Sequence, residues 1–210
     1  MPTLLHIDAS PLGDASISRH LTNDFVAQWK ATHPGGTVIN RDLTTTGLAP
    51  IDAAWIGAMS TPKDARTDEQ RNLLALSDTL IDELRTADEY IVGAPMHNFT
   101  VAATLRLWID LVVRVGETFG YGETGRVGLL TGKKANFVVS SGGQYGPGTA
   151  NESFNFVEPY LRTLFGFIGV VDTQFHLAGG AAELYTGKVD RETFLNTHVE
   201  TMHATLKAAV

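Results

Sequence analysis

The spacing of apolar residues changes several times along the chain, and each change predicts an element. Thr3 to Ala9 is a short apolar run that reads as a strand, followed by turn residues at Ser10-Pro11-Leu12-Gly13-Asp14. From Ser16 the period becomes helical, with Ile17, Leu21, Phe25, Val26 and Trp29 on one face. Ser16 or Ser18 caps that helix, and Pro34-Gly35-Gly36 stops it. Thr37 to Leu43 alternates like a strand. Residues 44–66 are irregular, with a short helix around Ala53–Met59. A long helix is predicted over Thr67–Ala87, its apolar face marked by Leu73, Leu76, Leu80, Ile81 and Leu84. Thr67 and Gln70 form a capping box at its start. Glu89–Ala94 reads as a buried strand cut off by Pro95, and Thr100 to about Val115 as a helix. A strand over Lys134–Ser140, a helix over Ser153–Phe167, a strand over Val170–Leu177 and a helix over Asp190–Ala209 complete the pattern.

Strands alternating with helices predict an α/β fold, a doubly wound five-stranded parallel sheet with helices on both faces and strand order 2-1-3-4-5. With 210 residues and no linker or repeat, residues 1–210 read as a single domain. The chain has no cysteine, which excludes disulfides, thiolate nucleophiles and iron–sulfur clusters and fits a reducing compartment. Its formal net charge of −7 argues against nucleic acid as a partner. Leu4–Ile7 is too short for a signal segment, and no stretch approaches the roughly 18 apolar residues of a membrane span. The expectation is a soluble, cytoplasmic protein without a membrane partner. Glycine is in excess, 21 residues in 210 against a usual ~7%.

Ligands of such sheets sit beyond the carboxyl ends of the strands where the strand order reverses. Strands 1, 3 and 4 lie side by side there. Ser10 and Ser16-Ile17-Ser18 follow the first, Pro95-Met96-His97-Asn98-Phe99 the third, and Ser140-Ser141-Gly142-Gly143-Gln144-Tyr145 the fourth. The loops after strands 2 and 5 lack this mix of hydroxyls, amide and glycines. A helix N-terminus with three serine hydroxyls can hold a phosphate in an acidic protein, and Arg19 can add one charge. A glycine pair lets backbone approach a flat ring. Each loop alone also reads plainly, as a serine cap, a turn or an Asn98 helix cap. Their joint placement favours a flavin mononucleotide site.

At these residues the chain resembles the flavodoxin-like FMN-dependent NADH:quinone oxidoreductase and azoreductase family. The resemblance runs through "ALSDTLIDELRTADEYIVGAPMHNF", Leu129–Lys134 and Leu164–Gly169, and is sharpest at Ala94–Phe99 and Ser140–Gly143. The family pattern has a tyrosine where His97 stands and an arginine where Ser141 stands; both departures bear on substrate preference and redox tuning. The resemblance implies noncovalent FMN, with phosphate contacts at Ser10, Ser16, Ile17 (through its backbone) and Ser18. It implies flavin contacts at Met96, His97, Asn98 and Phe99, and at Ser140, Ser141, Gly142 and Gly143. It also implies a homodimer with active sites at the interface, and a substrate pocket involving Phe119, Tyr121, Tyr145 and Phe167.

The activity expected is two-electron reduction of quinones and azo compounds by NADH or NADPH, in ping-pong order through reduced flavin. His97 and Tyr145 are the candidate catalytic residues; His97 reads either as a hydrogen-bond or proton donor to the acceptor or as a packing residue. Backbone N–H groups of Ser141–Gly143, at the start of the following helix, are expected to stabilise charge near flavin N1. The alternative is an electron-transfer flavodoxin without its own NAD(P)H turnover.

Other patterns fail. Gly120–Gly125 spells G-x-G-x-x-G outside any strand-to-helix context and reads as a flexible loop. His198 and His203 are five apart, the wrong spacing for a helical zinc pair, and no metal site is expected. Apart from His97, the seven histidines are expected to be exposed, and Trp29, Trp55 and Trp108 to be core or interface.

Overall fold

The N-terminal run forms β1 (Thr3–Asp8) inside the sheet of the computed structural model, which describes residues 1–123 and 125–207. Ser16 then caps α1 (Ile17–Thr32), its hydroxyl accepting the Arg19 N–H at 3.2 Å. β2 (Thr37–Asp42) leads through α2 (Ala53–Ser60) to α3 (Asp68–Thr86), where Thr67 and Gln70 make the predicted reciprocal capping box. β3 (Glu89–Gly93), β4 (Met96–His97), β5 (Thr100–Val101) and α4 (Ala103–Val112) follow. Next come β6 (Phe119–Gly122), β7 (Gly125–Gly128) and β8 (Lys134–Ser140). α5 (Val157–Ile168), β9 (Asp172–Ala178), α6 (Ala182–Tyr185) and α7 (Arg191–Lys207) complete the order. Five parallel strands pair in the order β2-β1-β3-β8-β9, the predicted 2-1-3-4-5 arrangement.

Alternation along each strand splits the core into two unequal layers. Leu5, Ile7, Tyr90, Val92, Phe137 and Val139 pack under α2, α3, α4 and α5 in the larger, apolar layer. Leu4, Ile91 and Val138 face α1 and α7 in the smaller one. The intervening positions of that second face carry buried polar groups: His6, Asp8, Asn136 and His176. Some of their atoms are paired locally, Asn136 Nδ2 donating to Glu89 at 2.7 Å and His6 Nε2 lying 3.0 Å from the Thr22 hydroxyl, whereas Asn136 Oδ1 and His176 Nε2 meet no partner among the described residues. Trp29, Trp55 and Trp108 are buried as expected, but His6 and His176 are buried too, contrary to the expectation for the scattered histidines.

Several boundaries differ for physical reasons. The buried face of α3 runs through Leu74, Ser77, Leu80, Ile81 and Leu84, while Leu73 is exposed and Leu76 only half-buried. A serine can sit in that stripe because its hydroxyl donates to the Leu111 carbonyl at 2.5 Å. The helix expected from Thr100 starts at Ala103, because residues 96–101 fold into the β4–β5 hairpin. The helix expected from Ser153 begins at Val157, after a separate 3-10 turn at Glu152–Phe154. The fifth strand starts at Asp172 rather than Val170. The last helix begins at Arg191; residues 208–210, at its expected end, lie outside the described residues.

The supposed flexible loop at 120–125 is part of the antiparallel β6–β7 hairpin. Its base is locked against the end of α5: a Cβ on Gly128 would stand 2.2 Å from the Gly169 nitrogen, so only glycine fits the crossing. Glu117, buried just before the hairpin, binds Arg85 at 2.5 Å and Lys63 at 2.6 Å. Burial pushes its carboxyl up, but these two cations outweigh it and hold it below the usual carboxylate range.

The buried His176 yields a pH prediction. Burial, aided by neighbouring His198, pushes its imidazole down from 6.5 to about 4. The folded state keeps the ring neutral while the unfolded chain takes up a proton. Stability is therefore full above pH 6.5 and falls as pH drops toward about 4. The loss from this group is on the order of 3 kcal/mol. Urea unfolding at pH 7.5 and 4.5 should show a clearly smaller difference for His176→Gln than for the natural chain; an equal difference rejects the assignment.

Candidate functional site

The carboxyl ends of β1, β3 and β8 carry their ladder one residue into the loops. Ala9 donates to Gly93 at 3.1 Å, Ala94 to Val138 at 2.9 Å and Ser141 to Ala178 at 3.1 Å. The three loops therefore leave the sheet from fixed points. Between them lies a cleft of about 500 Å3, inside the range of roughly 300–1,000 Å3 typical of small-molecule sites. Ser10, Ser16 and Ile17 line one end, Pro95, Met96 and His97 another, and Ser140, Ser141 and Gly142 a third.

The first end is built for an anion. The Ser16 N–H is engaged by Gly13, but the N–H groups of Ile17 and Ser18 belong to the unpaired first turn of α1. The Ser10 and Ser16 hydroxyls stand beside them. Ser18 is fully buried and does not line the cleft; its hydroxyl lies 3.2 Å from that of Ser16. Gly93 makes room for it, since a Cβ there would meet Asp8 Oδ1 at 3.0 Å and Ser18 Oγ at 3.5 Å. A phosphate monoester fits this donor set through backbone N–H groups and hydroxyls.

Arg19 does not serve as the expected extra charge. Its guanidinium is held by Asp8 at 3.3 Å and Asp42 at 2.8 Å, and it does not line the cleft. Burial pushes Asp42 up, but hydrogen bonds from Thr44 and Arg19 hold it below its ordinary value.

The second loop turns sharply. Asn98 and Phe99 both have positive φ, 49° and 70°, as the two-residue turn of the β4–β5 hairpin requires. Asparagine tolerates this conformation; for phenylalanine it costs roughly 1–2 kcal/mol. Packing holds it there. Phe99 meets Tyr145 at 6.1 Å and Phe154 at 5.4 Å between ring centroids, and its carbonyl accepts the Phe156 N–H at 3.2 Å. The exposed His97 stands on the wall between the cleft and a neighbouring hollow of about 610 Å3 that Asn98, Arg106 and Tyr160 also line.

The third loop is latched to the one after β9. The carbonyls of Ser141, Gly142 and Gly143 accept the N–H groups of Ala181, Ala182 and Gly180 at 3.0, 2.9 and 3.1 Å. The N–H groups of Gly142 and Gly143 meet no acceptor among the described residues, whereas that of Ser141 is engaged by Ala178. No helix follows directly: α5 starts at Val157, so the expected helix-end contribution here is replaced by two free backbone donors. A Cβ on Gly142 would meet nothing within 4 Å, which leaves that side open to a flat ring.

Comparison with known proteins places this geometry. The profile of a family of flavodoxin-like fold matches residues 2–206. An FMN-dependent NADH:quinone oxidoreductase of Acidobacterium capsulatum is 52% identical, covering 98% of this chain and 99% of its own length. FMN-dependent NADH:quinone oxidoreductase 3 of Burkholderia lata is 51% identical, over 96% and 97%. The chain belongs to the FMN-dependent NADH:quinone oxidoreductase family. A crystal structure of an FMN-dependent NADH-azoreductase from Bacillus anthracis, in complex with FMN, superposes with a TM-score of 0.85 at 25% identity over 100% of both chains.

Within this family member, the residues expected at the site divide into three groups. Ser10, Ser16, Ile17, Met96, His97, Ser140, Ser141 and Gly142 share the cleft wall. Ser18, Asn98, Phe99, Gly143 and Tyr145 stand directly behind or beside it, Tyr145 within 3.1 Å of where a Gly143 Cβ would lie. Phe119, Tyr121 and Phe167 form a separate aromatic group at the β6–β7 hairpin, with Phe119 at 6.0 Å from Tyr121 and 4.7 Å from Phe167. They do not line the cleft within one chain.

The loop after the fifth strand, set aside in the sequence, supplies Ala181, Leu184 and Tyr185 to the cleft, and Arg191 opens the helix beyond it. The signal was present as Gly179-Gly180, a second glycine pair like Gly142-Gly143. Their lack of side chains is what admits Gln144, since a Cβ on Gly179 or Gly180 would lie 2.7 or 2.6 Å from its amide.

The Ser16 cap can be weighed directly. Ser16→Ala should lower the stability of the protein by about 1 kcal/mol, and Ser16→Gly by only a few tenths. Equal losses in urea unfolding would show that the hydroxyl does not cap α1.

Proposed function

We propose that this chain is a homodimeric, cytoplasmic FMN-dependent oxidoreductase that uses NADH to reduce quinones and azo compounds by two electrons. The observation that carries the reading is the cleft itself. Free first-turn N–H groups and serine hydroxyls for a phosphate lie at one end, and open backbone donors of Gly142 and Gly143 for a flat ring at the other. The names of relatives that match nearly the whole chain support both the cofactor and the donor. No described helix is long and apolar enough to cross a membrane.

FMN, when bound, supplies hydride acceptance and two-electron delivery. The protein's own part is binding, orientation and electrostatics. Ser10, Ser16 and the N–H groups of Ile17 and Ser18 hold the phosphate. Met96, Asn98, Phe99 and Ser140 shape the ring site, and Ser141, Gly142 and Gly143 border it, the last two placing N–H donors where negative charge develops. His97 donates a hydrogen bond or proton to the acceptor from the cleft wall, and Tyr145 flanks the same space. Donor and acceptor take turns at this cleft, which gives ping-pong kinetics. Phe119, Tyr121 and Phe167 would complete the pocket from the second copy. Exposure of Tyr121 and Val127 on the hairpin supports that use.

The purified protein should bind FMN and oxidise NADH with a simple quinone or an azo dye, with no other protein present. NADH oxidation that requires a partner protein would favour an electron-transfer flavodoxin instead. His97→Phe, assayed at saturating FMN, should lower acceptor turnover by about tenfold or more; unchanged turnover would assign His97 to packing alone.

A further inference from the structure

A phosphate monoester carries close to two negative charges, and helix N–H groups with hydroxyls hold it chiefly as an array of hydrogen bonds. In a chain of net charge −7, a nearby cation would add charge pairing to that array. Arg19 is unavailable because Asp8 and Asp42 already hold it. Among the described residues lining the cleft, Arg191 is the one Lys or Arg.

Its setting is unusual for a structural arginine. Arg191 opens α7, so it sits at the positive end of that helix, where a cation is disfavoured by the dipole. No carboxylate stands within ion-pair distance of it among the described residues. Among the described residues its guanidinium makes one hydrogen bond, a 3.3 Å contact to the Asp14 carbonyl. That carbonyl belongs to the Gly13–Ala15 turn, which directly precedes the Ser16 cap. The backbone that carries Arg191 is anchored: Phe194 and Leu195, three and four residues on and hence on the same helix face, are buried with Ala181 against Ile17. The guanidinium is thus held across the phosphate turn by a rigid helix start while remaining exposed and free to pair.

We propose that Arg191 is the charge-recognition residue of this site, pairing with the phosphate monoester bound over the first turn of α1 and so making the protein select FMN over riboflavin. The inference rests on the FMN reading above. The same chemistry could come from the 2′-phosphate of an NADPH donor; the cofactor is the assignment made here because Arg191 bridges to the turn that leads into the α1 cap.

The test uses apoprotein titrated with FMN and with riboflavin, followed by flavin fluorescence, for the natural chain, Arg191→Ala and Arg191→Lys. Thermal melts confirm that the variants fold. Arg191→Ala should weaken FMN by about tenfold, leave riboflavin unchanged and flatten the salt dependence of FMN binding. Arg191→Lys should recover most of the loss. Equal weakening of FMN and riboflavin would make Arg191 a packing residue and overturn the proposal. Unchanged FMN affinity with a raised NADPH KM and an unchanged NADH KM on the holoenzyme would also overturn it, moving the arginine to the donor. If the natural chain binds neither flavin, the FMN reading itself fails. If it binds both flavins equally, that reading stands and the proposal falls.

Discussion

Arg19 pinned between Asp8 and Asp42 is the contact on which the site geometry rests. Asp8 ends β1, Asp42 ends β2, and Arg19 lies in the first turn of α1. One largely buried guanidinium therefore ties a helix start to two strand ends. Breaking a pair of this kind by removing one partner leaves a buried charge uncompensated, which typically costs several kcal/mol. The consequence for function is twofold. The first-turn N–H groups of α1 are aimed from a fixed point, and the nearest arginine in sequence is withdrawn from anion binding. An acidic chain then relies on backbone donors, hydroxyls and a cation brought in from the far end of the chain.

The two faces of the sheet divide the labour. The α2–α5 face is apolar and close-packed, and it supplies most of the burial that drives folding. The α1–α7 face carries the buried polar groups His6, Asp8, Asn136 and His176, and the His176 ring stays neutral there with its Nε2 unpaired among the described residues. His6 and Asp8 tie β1 to α1 through Thr22 and Arg19, Asn136 ties β8 to β3 through Glu89, and His176 of β9 packs edge-on against His198 of α7; α1 and α7 are the two helices whose starts border the proposed phosphate site. The site is thus mounted on the more polar and more pH-sensitive layer, while the other layer holds the sheet that fixes the loop exits.

Strain is concentrated where the ring site is proposed. Asn98 and Phe99 are the described non-glycine residues with positive φ, and they form the tip of one hairpin. Phe99 stays there because Tyr145, Phe154 and the Phe156 N–H hold it. A turn that glycine would make more easily carries an aromatic ring instead, which is how backbone strain commonly marks a working surface.

The alternation of strands and helices, the capping box at Thr67, the serine cap at Ser16 and the three loops at the carboxyl edge were all legible in the linear pattern. Each depends on residues within a few positions of one another, and the strand order is the flavodoxin-type arrangement expected of a doubly wound five-stranded sheet. The β4–β5 and β6–β7 hairpins were not legible. Their turns lack the usual Asn-Gly signal, and Gly128 is dictated by a crossing with Gly169, 41 positions away. The histidines were misjudged for the same reason, since the burial of His6 and His176 depends on α1 and α7 closing over them. The sequence by itself determined the sheet, the polarity of its edge and the family, because these rest on local periodicity and short motifs. Only the tertiary structure decided which charges are free: it spends Arg19 on two carboxylates and brings Arg191 to the cleft, a matter of which distant side chains meet.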